Sequence, residues 1–244
     1  MCGRFNVISS PLTQLVLDII ERNSVDEVPG LPLPTRLNIA PTDPVTVIRR
    51  DGDDWQLSDM RWWLVPSWAP APDSRYTMFN ARSETLSQSR AFREPFRRRR
   101  CLIPASGYYE WRKEGSAKVP YYIEPDVAEI GDASGFVFAG LWDRWQRGGE
   151  VIDSCTIVTT AAPSGMAELH HRIPVQLSPA ETGKWLATDT PVSDLRKILA
   201  PVLKLPVSIT PVSTWVNNSR HKDEACLEPL GDGWTVMPQD PEAS

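Results

Sequence analysis

Proline sets the first limit on this chain. Twenty-three prolines are scattered along 244 residues. Each fixes φ and removes a backbone donor, so it interrupts a long helix and fits a central strand badly. The chain must be assembled from many short elements. VTVIRR (45–50) and the segment around 55–65 read as strands on either side of a DGDD turn. RCLIPASGYYEW (100–111), PYYIEP (120–125), FVFAGLWDRW (136–145) and SCTIVTTA (154–161) read as strands too. Helical patterns are fewer. SSPLTQLVLDIIERN (9–23) puts Leu12, Leu15, Val16, Ile19 and Ile20 on one face, with Ser10 as N-cap and Pro11 at the first helical position. SETLSQSRAFRE (83–94) reads as a second helix, and residues 24–36 as a Pro/Gly loop. SPAETGKWLA (178–187) opens with Ser178 and Glu181 in capping-box spacing, and SDLRKILA (193–200) is a further short helix. Strands outnumber helices and rarely alternate with them. That predicts an α+β fold with a mostly antiparallel sheet, not a doubly wound parallel one. No repeat or interior linker is visible, so residues 1–235 read as one domain and 236–244 as a disordered tail.

With 41% hydrophobic and 23% charged residues, the chain is long enough to bury a sizeable core. No apolar run approaches the roughly 18 residues of a membrane span. No basic region followed by an apolar stretch opens the chain, so a cytoplasmic protein without a membrane partner is expected. Cys2, Cys101, Cys155 and Cys226 lie far apart and form no CxxC pair. Neither a metal knuckle nor a redox motif is indicated, and free thiols are expected. The net charge of −5 argues against a general nucleic-acid binder. The charge is uneven, however: RAFREPFRRRR (90–100) sets six arginines against Glu94. Local field governs a ligand that docks in one groove. The plainer reading of that run is a solvated helix end.

Cys2 is the most reactive position that the sequence offers. Trimming of the start methionine leaves it with an amine and a thiol on adjacent carbons. The plainer reading is a small hydrophobe near the chain start. Other polar residues sit in apolar surroundings. Asn80 and Arg82 follow Phe79 in FNARSET (79–85), Glu110 lies in the aromatic strand GYYEW (107–111), and His170, His171 and Arg172 precede an apolar stretch in ELHHRIPV (168–175). A carboxylate flanked by Tyr109 and Trp111 can have a raised pKa and donate a proton, unless it faces solvent on an alternating strand. A histidine pair before proline is more often structural. A cysteine nucleophile with one Glu, one His and one Asn nevertheless suffices for a reactive centre.

MCGRF at the start, LNIAPT (37–42), FNARSET, RCLIPASGYYEW, HHRIPV and VSTWVNN (212–218) resemble, in order, the SRAP family of SOS response-associated peptidases, or abasic site processing proteins. The resemblance runs to about residue 230. It implies a barrel-like sheet core flanked by short helices. It also implies binding of single-stranded DNA containing an abasic site, in the DNA-damage response beside the replication machinery, and a covalent DNA–protein crosslink. Cys2 carries over as nucleophile, Asn80 as the Asn of NAR, Glu110 as the Glu of YEW, and His170, not His171, as the family histidine. Arg4, Arg82 and Arg172 are then the first choices for phosphates, Pro41 and Trp68 for base packing, and Thr159 for the DNA backbone. Autoproteolytic removal of Met1, a monomer, nucleoid association and the absence of any cofactor or metal are expected on the same ground. One departure is visible: Trp63 stands where many family members carry Gly, so a bulky ring fills space the family usually leaves open and either shifts the groove wall near Trp68 or adds a stacking ring.

Other classes compete. Amidohydrolases with an N-terminal nucleophile also begin Cys-Gly, but their sites use an Asn-Gly oxyanion segment, and this chain has no Asn-Gly dipeptide. A thiol peptidase would use the same Cys, Glu and His. A non-catalytic DNA-binding module would not need Cys2 at all.

Overall fold

A computed structural model describes residues 2–21, 24–52, 54–72, 76–130 and 135–239. Among the described residues, thirteen strands form two sheets. Five of them make a closed barrel: β3 (Pro44–Asp51), β4 (Asp54–Trp62), β6 (Arg100–Ala105), β9 (Phe136–Arg147) and β10 (Glu150–Ala161). Their order is β10-β4-β3-β6-β9, and β9 returns to pair with β10 over Glu150–Ile157. Closure removes the exposed edges that an open sheet would leave. β5 (Asn80–Arg82) and β11 (Arg172–Pro174) add to β10 outside that ring. The second sheet is antiparallel throughout, in the order β13 (Trp234–Val236), β12 (Val207–Pro211), β8 (Ala117–Pro125), β7 (Gly107–Glu114), β1 (Arg4–Val7), β2 (Arg36–Ile39). The α+β, mostly antiparallel expectation therefore holds, with β10 parallel to β4 and β5 as the exception.

One continuous core joins barrel and sheet, with Phe5, Trp62, Tyr108, Phe138 and Trp185 among its buried members. Each such side chain contributes roughly 1.5–3 kcal/mol by leaving water. The helices are short: α1 (Ser9–Ile19), α2 (Arg93–Arg98), α3 (Val127–Ile130), α4 (Ser164–Ala167), α5 (Pro179–Leu186) and α6 (Val192–Ile198). In α1, Ser10 is extended, so the regular helix starts at Pro11, and Leu12 and Val16 are buried. In α5 the capping box forms, with Ser178 N–H donating to Glu181 Oε2 at 2.9 Å. Among the described residues no helix is long and apolar enough to cross a membrane.

Two expectations change. The helix foreseen over 83–94 is instead a 3-10 turn at Ser83–Thr85, a series of turns, and then α2. That segment carries only Leu86 and Ala91 as buried apolar residues before α2, too few for a helical stripe. The strand foreseen over 100–111 breaks at Ser106, so β6 stays in the barrel while β7 enters the second sheet. Ile8 N–H donates to Ser106 Oγ, and Ser106 N–H to Asn6 O, both at 2.8 Å. Gly107 is required there: a Cβ would stand 2.4 Å from the Tyr122 ring. The expected tail begins within β13, and its residues 240–244 lie outside the described residues.

Candidate active site

Cys2 enters β1 in the seam between the two sheets and is fully buried. In the β1–β7 register Arg4 faces Tyr109 and Phe5 faces Tyr108. Cys2 precedes the strand, and it lies close enough to Glu110 for the carboxylate charge to act on its thiol, although the two are far apart in sequence. The Cys2 thiol lies 3.7 Å from Arg4 O. Burial first, and the Glu110 charge second, push its pKa well above the ordinary thiol value. At neutral pH it is a thiol, not a thiolate.

Asn80 reaches the same point from the barrel. β5 runs parallel to β10 with Asn80 opposite Ile157. The buried Trp62 indole N–H donates to Phe79 O at 2.8 Å and fixes the preceding peptide. From there Asn80 Nδ2 donates to Cys2 O at 2.8 Å. Its Oδ1 is buried and has no hydrogen-bond partner among the described residues, which leaves one acceptor for an incoming donor.

Glu110 is 3% exposed, and burial raises its pKa to about 7. His170 Nδ1 stands 3.8 Å from Glu110 Oε1. Burial lowers the His170 pKa to about 4, so its imidazole is neutral at pH 7. The Arg172 backbone holds that Nδ1, with its N at 3.0 Å and its O at 3.1 Å. His171 stacks on His170 with ring centroids 4.3 Å apart but is itself exposed. Tyr108 is a member that sequence reasoning missed. It shares a strand face with Glu110 by the period of two. Its hydroxyl is buried without a hydrogen-bond partner among the described residues, and burial raises its pKa, with the charges of Glu110 and Cys2 adding to the effect.

The residues considered for DNA divide by exposure. Arg82 is exposed at the end of β5, Trp68 is 44% exposed, and Pro41 is half-buried in the β2–β3 loop. The Arg90 guanidinium lies 4.1 Å over the Trp68 ring. Arg4, Thr159 and Arg172 turn inward. Arg172 holds both Glu84 carboxylate oxygens, at 2.7 and 3.0 Å, and donates to Thr159 O at 2.6 Å. Thr159 is fully buried, and its hydroxyl contacts Ala81 O. The Nη1 of Arg4 reaches Asn38 Oδ1 and Val216 O, each at 2.7 Å. Nor is the arginine run a uniform stripe. Arg100 is buried against backbone carbonyls that include Arg97 O, Arg99 faces Asp143 at 3.2 Å, and Arg97 faces Glu94 at 3.6 Å. Arg93 and Arg98 remain exposed. Trp63 packs on Phe79 with centroids 5.5 Å apart, directly beside Asn80. Among the described residues no group of three or more His, Cys, Asp or Glu side chains is placed to hold a metal ion.

The protein-family model for SOS response associated peptidase (SRAP) matches residues 1–219. The chain belongs to the SRAP family. The SRAP relatives include the abasic site processing protein YoqW of Bacillus subtilis, 33% identical over 232 residues, which span 93% of this chain and 99% of the relative. They also include the abasic site processing protein HMCES of Xenopus tropicalis, 34% identical over 197 residues, spanning 72% of this chain and 58% of that one. A solved structure from Bacteroides thetaiotaomicron matches with a TM-score of 0.76 and 25% identity, covering 94% of this chain and all of that one. A phage-related protein of Bordetella bronchiseptica matches with a TM-score of 0.65 and 30% identity, covering 86% of this chain and 94% of that one. The SRAP motifs thus correspond to places in the fold: residues 2–5 of MCGRF lead into and open β1, FNARSET holds β5 and its turn, GYYEW opens β7, and HHRIP leads into β11.

Proposed function

We propose that this SRAP protein captures abasic sites in single-stranded DNA as a covalent thiazolidine on Cys2. The observation that carries the reading is the pairing of Cys2 with two partners at once: Asn80 holds its carbonyl, and buried Glu110, with a pKa near 7, stands beside it. The names of the relatives as abasic site processing proteins support the substrate.

An abasic deoxyribose exchanges between a closed hemiacetal and an open aldehyde. Hydrolysis of the Met1–Cys2 peptide consumes one water and frees the Cys2 amine. That amine attacks the aldehyde carbon, and loss of one water gives an imine. The thiol then adds across C=N: sulfur bonds to carbon, and the thiol proton ends on nitrogen. The five-membered ring resists hydrolysis better than an open imine. Only a cysteine at the chain start offers both groups on adjacent carbons. Glu110, near half-protonation at neutral pH, donates to the departing oxygen and accepts protons in return. Neutral His170 assists from 3.8 Å. Asn80 Oδ1 accepts a hydroxyl of the opened sugar. Arg82, Trp68 and Pro41 line the exposed approach, while Thr159 and Arg172 build the wall beneath it. A thiol peptidase acting on added peptides needs a thiolate, and the buried, neutral Cys2 supports the amine-first route instead.

Intact mass spectrometry before and after mixing with abasic single-stranded DNA tests both halves. The expected result is a chain lacking Met1, then an adduct of protein plus oligonucleotide minus one water that survives denaturing electrophoresis. Undiminished adduct with Cys2→Ala refutes the scheme and favours a module that does not use Cys2.

A further inference from the structure

Apart from Pro41, the motifs LNIAPT and VSTWVNN have no part in the reading above, yet they meet each other beside β1. Asn38 is fully buried and adopts a left-handed backbone with φ 50°. Asparagine tolerates that conformation better than most residues. Every polar group of Asn38 is engaged. Its N–H donates to Asn6 Oδ1 at 2.7 Å, and its carbonyl accepts from Lys222 Nζ at 2.8 Å. Its Nδ2 faces three backbone carbonyls, Val216 at 3.2 Å, Asn218 at 3.0 Å and His221 at 2.9 Å. An amide has two donor hydrogens, so one of them is shared. Its Oδ1 accepts from Arg4, which also binds Val216 O. Asn6 Nδ2 in turn donates to Tyr109 Oη at 2.9 Å.

The two residues that carry this network on β1 flank the reactive end of the chain. Arg4 gives its guanidinium to the clasp and its carbonyl to the Cys2 thiol. Asn6 locks β1 to Tyr109, the neighbour of Glu110. We propose that Asn38 is a positioning residue for Cys2: it clasps segment 216–221 onto β1, and the clasp sets where the thiol and the trimmed amine stand against Glu110. The proposal rests on the crosslinking chemistry above and names what holds its nucleophile in register. Buried, fully satisfied polar networks specify one geometry, because each partial alternative leaves a polar group unpaired.

The test compares crosslinking at saturating DNA with affinity for the same strand carrying a tetrahydrofuran abasic analogue, which has no aldehyde. With Asn38→Ala, crosslinking slows by about tenfold or more, since small misplacements of reacting groups are costly. Affinity for the analogue is unchanged. The alkaline limb of the pH–rate profile, where Glu110 loses the proton it donates, moves to lower pH as loosened packing hydrates the carboxyl. Asn38→Gly retains the left-handed backbone and shows the same slowing, which assigns the effect to the side chain. Lys222→Met, at the exposed end of the clasp, gives a smaller loss in the same direction and decides the matter where Asn38→Ala does not fold. A wild type that crosslinks, with Asn38→Gly and Lys222→Met crosslinking at its rate and with its pH profile, overturns the proposal. A wild type that forms no adduct overturns the crosslinking reading itself.

Discussion

Replacing Glu110 by Gln should make the protein more stable and nearly inactive. The side chain keeps its shape and loses only its titration. In the folded state burial raises the Glu110 pKa to about 7 from an ordinary 4.5. Folding therefore favours the protonated acid. Its contribution to stability is full below the unfolded value and is lost as pH rises through the folded one. At about 1.36 kcal/mol per decade, wild type forgoes about 0.2 kcal/mol at pH 4, about 2 kcal/mol at pH 6 and about 3 kcal/mol at pH 8. Glu110→Gln escapes that loss, so its stability advantage should grow with pH along the same curve. In a chain of this size about 3 kcal/mol corresponds to roughly 6–12 °C in melting temperature. Crosslinking should fall by about 10²–10⁴-fold, the usual worth of a positioned proton carrier. Urea unfolding from pH 4 to pH 8 reads the first effect, and single-turnover adduct formation reads the second. A stability difference that does not vary with pH refutes the buried acid. An undiminished rate refutes its role in proton transfer.

Arg172→Met should cost about 1–3 kcal/mol in urea unfolding, because it takes a donor from the buried Thr159 O while the half-exposed Glu84 returns to water, and affinity for single-stranded DNA stays unchanged. Loss of affinity with intact stability would return Arg172 to the phosphates. Trp68→Ala should weaken noncovalent binding of single-stranded DNA by about 1–3 kcal/mol, as measured by fluorescence titration, with no change in melting temperature. A large fall in melting temperature instead would make that half-exposed ring structural.

The strand pattern was legible because it is written locally, in alternating and β-branched runs such as VTVIRR and SCTIVTTA. The break between β6 and β7 was not. It depends on Gly107 lying under Tyr122, a contact made only after β8 has folded back. The helix foreseen over 83–94 failed for a similar reason: its serines and glutamine lack an apolar stripe, and Glu84 is taken by Arg172, 88 residues away. The motifs pointed to Cys2, Asn80, Glu110 and His170, and the structure brings these four together. Sequence shows a charge but not its partner. The resemblance offers Arg4 and Arg172 for phosphates, and in the fold their guanidinium groups also hold Asn38, Val216 and Glu84. Tyr108 and Asn38 carried no chemical signal of their own. A strand period places Tyr108 beside Glu110, but nothing local announces the left-handed turn at Asn38.

A single physical cause acts on the whole centre. Cys2 is fully buried, Glu110 nearly so, and His170 is partly buried 3.8 Å from Glu110. Burial disfavours whichever form is charged. It therefore moves the thiol up, the carboxylate up and the imidazole down. A cysteine hydrolase of the thiolate–imidazolium kind needs two of these three movements reversed, with the thiol lowered and the histidine raised. Condensing an amine with an aldehyde has other needs. It requires an unprotonated amine, an acid near neutrality to release water, and a thiol that keeps its proton until it can pass it to nitrogen. Low polarity also helps drive the loss of water. On the proposed reading, the same desolvation that disfavours a thiolate peptidase favours closing the ring.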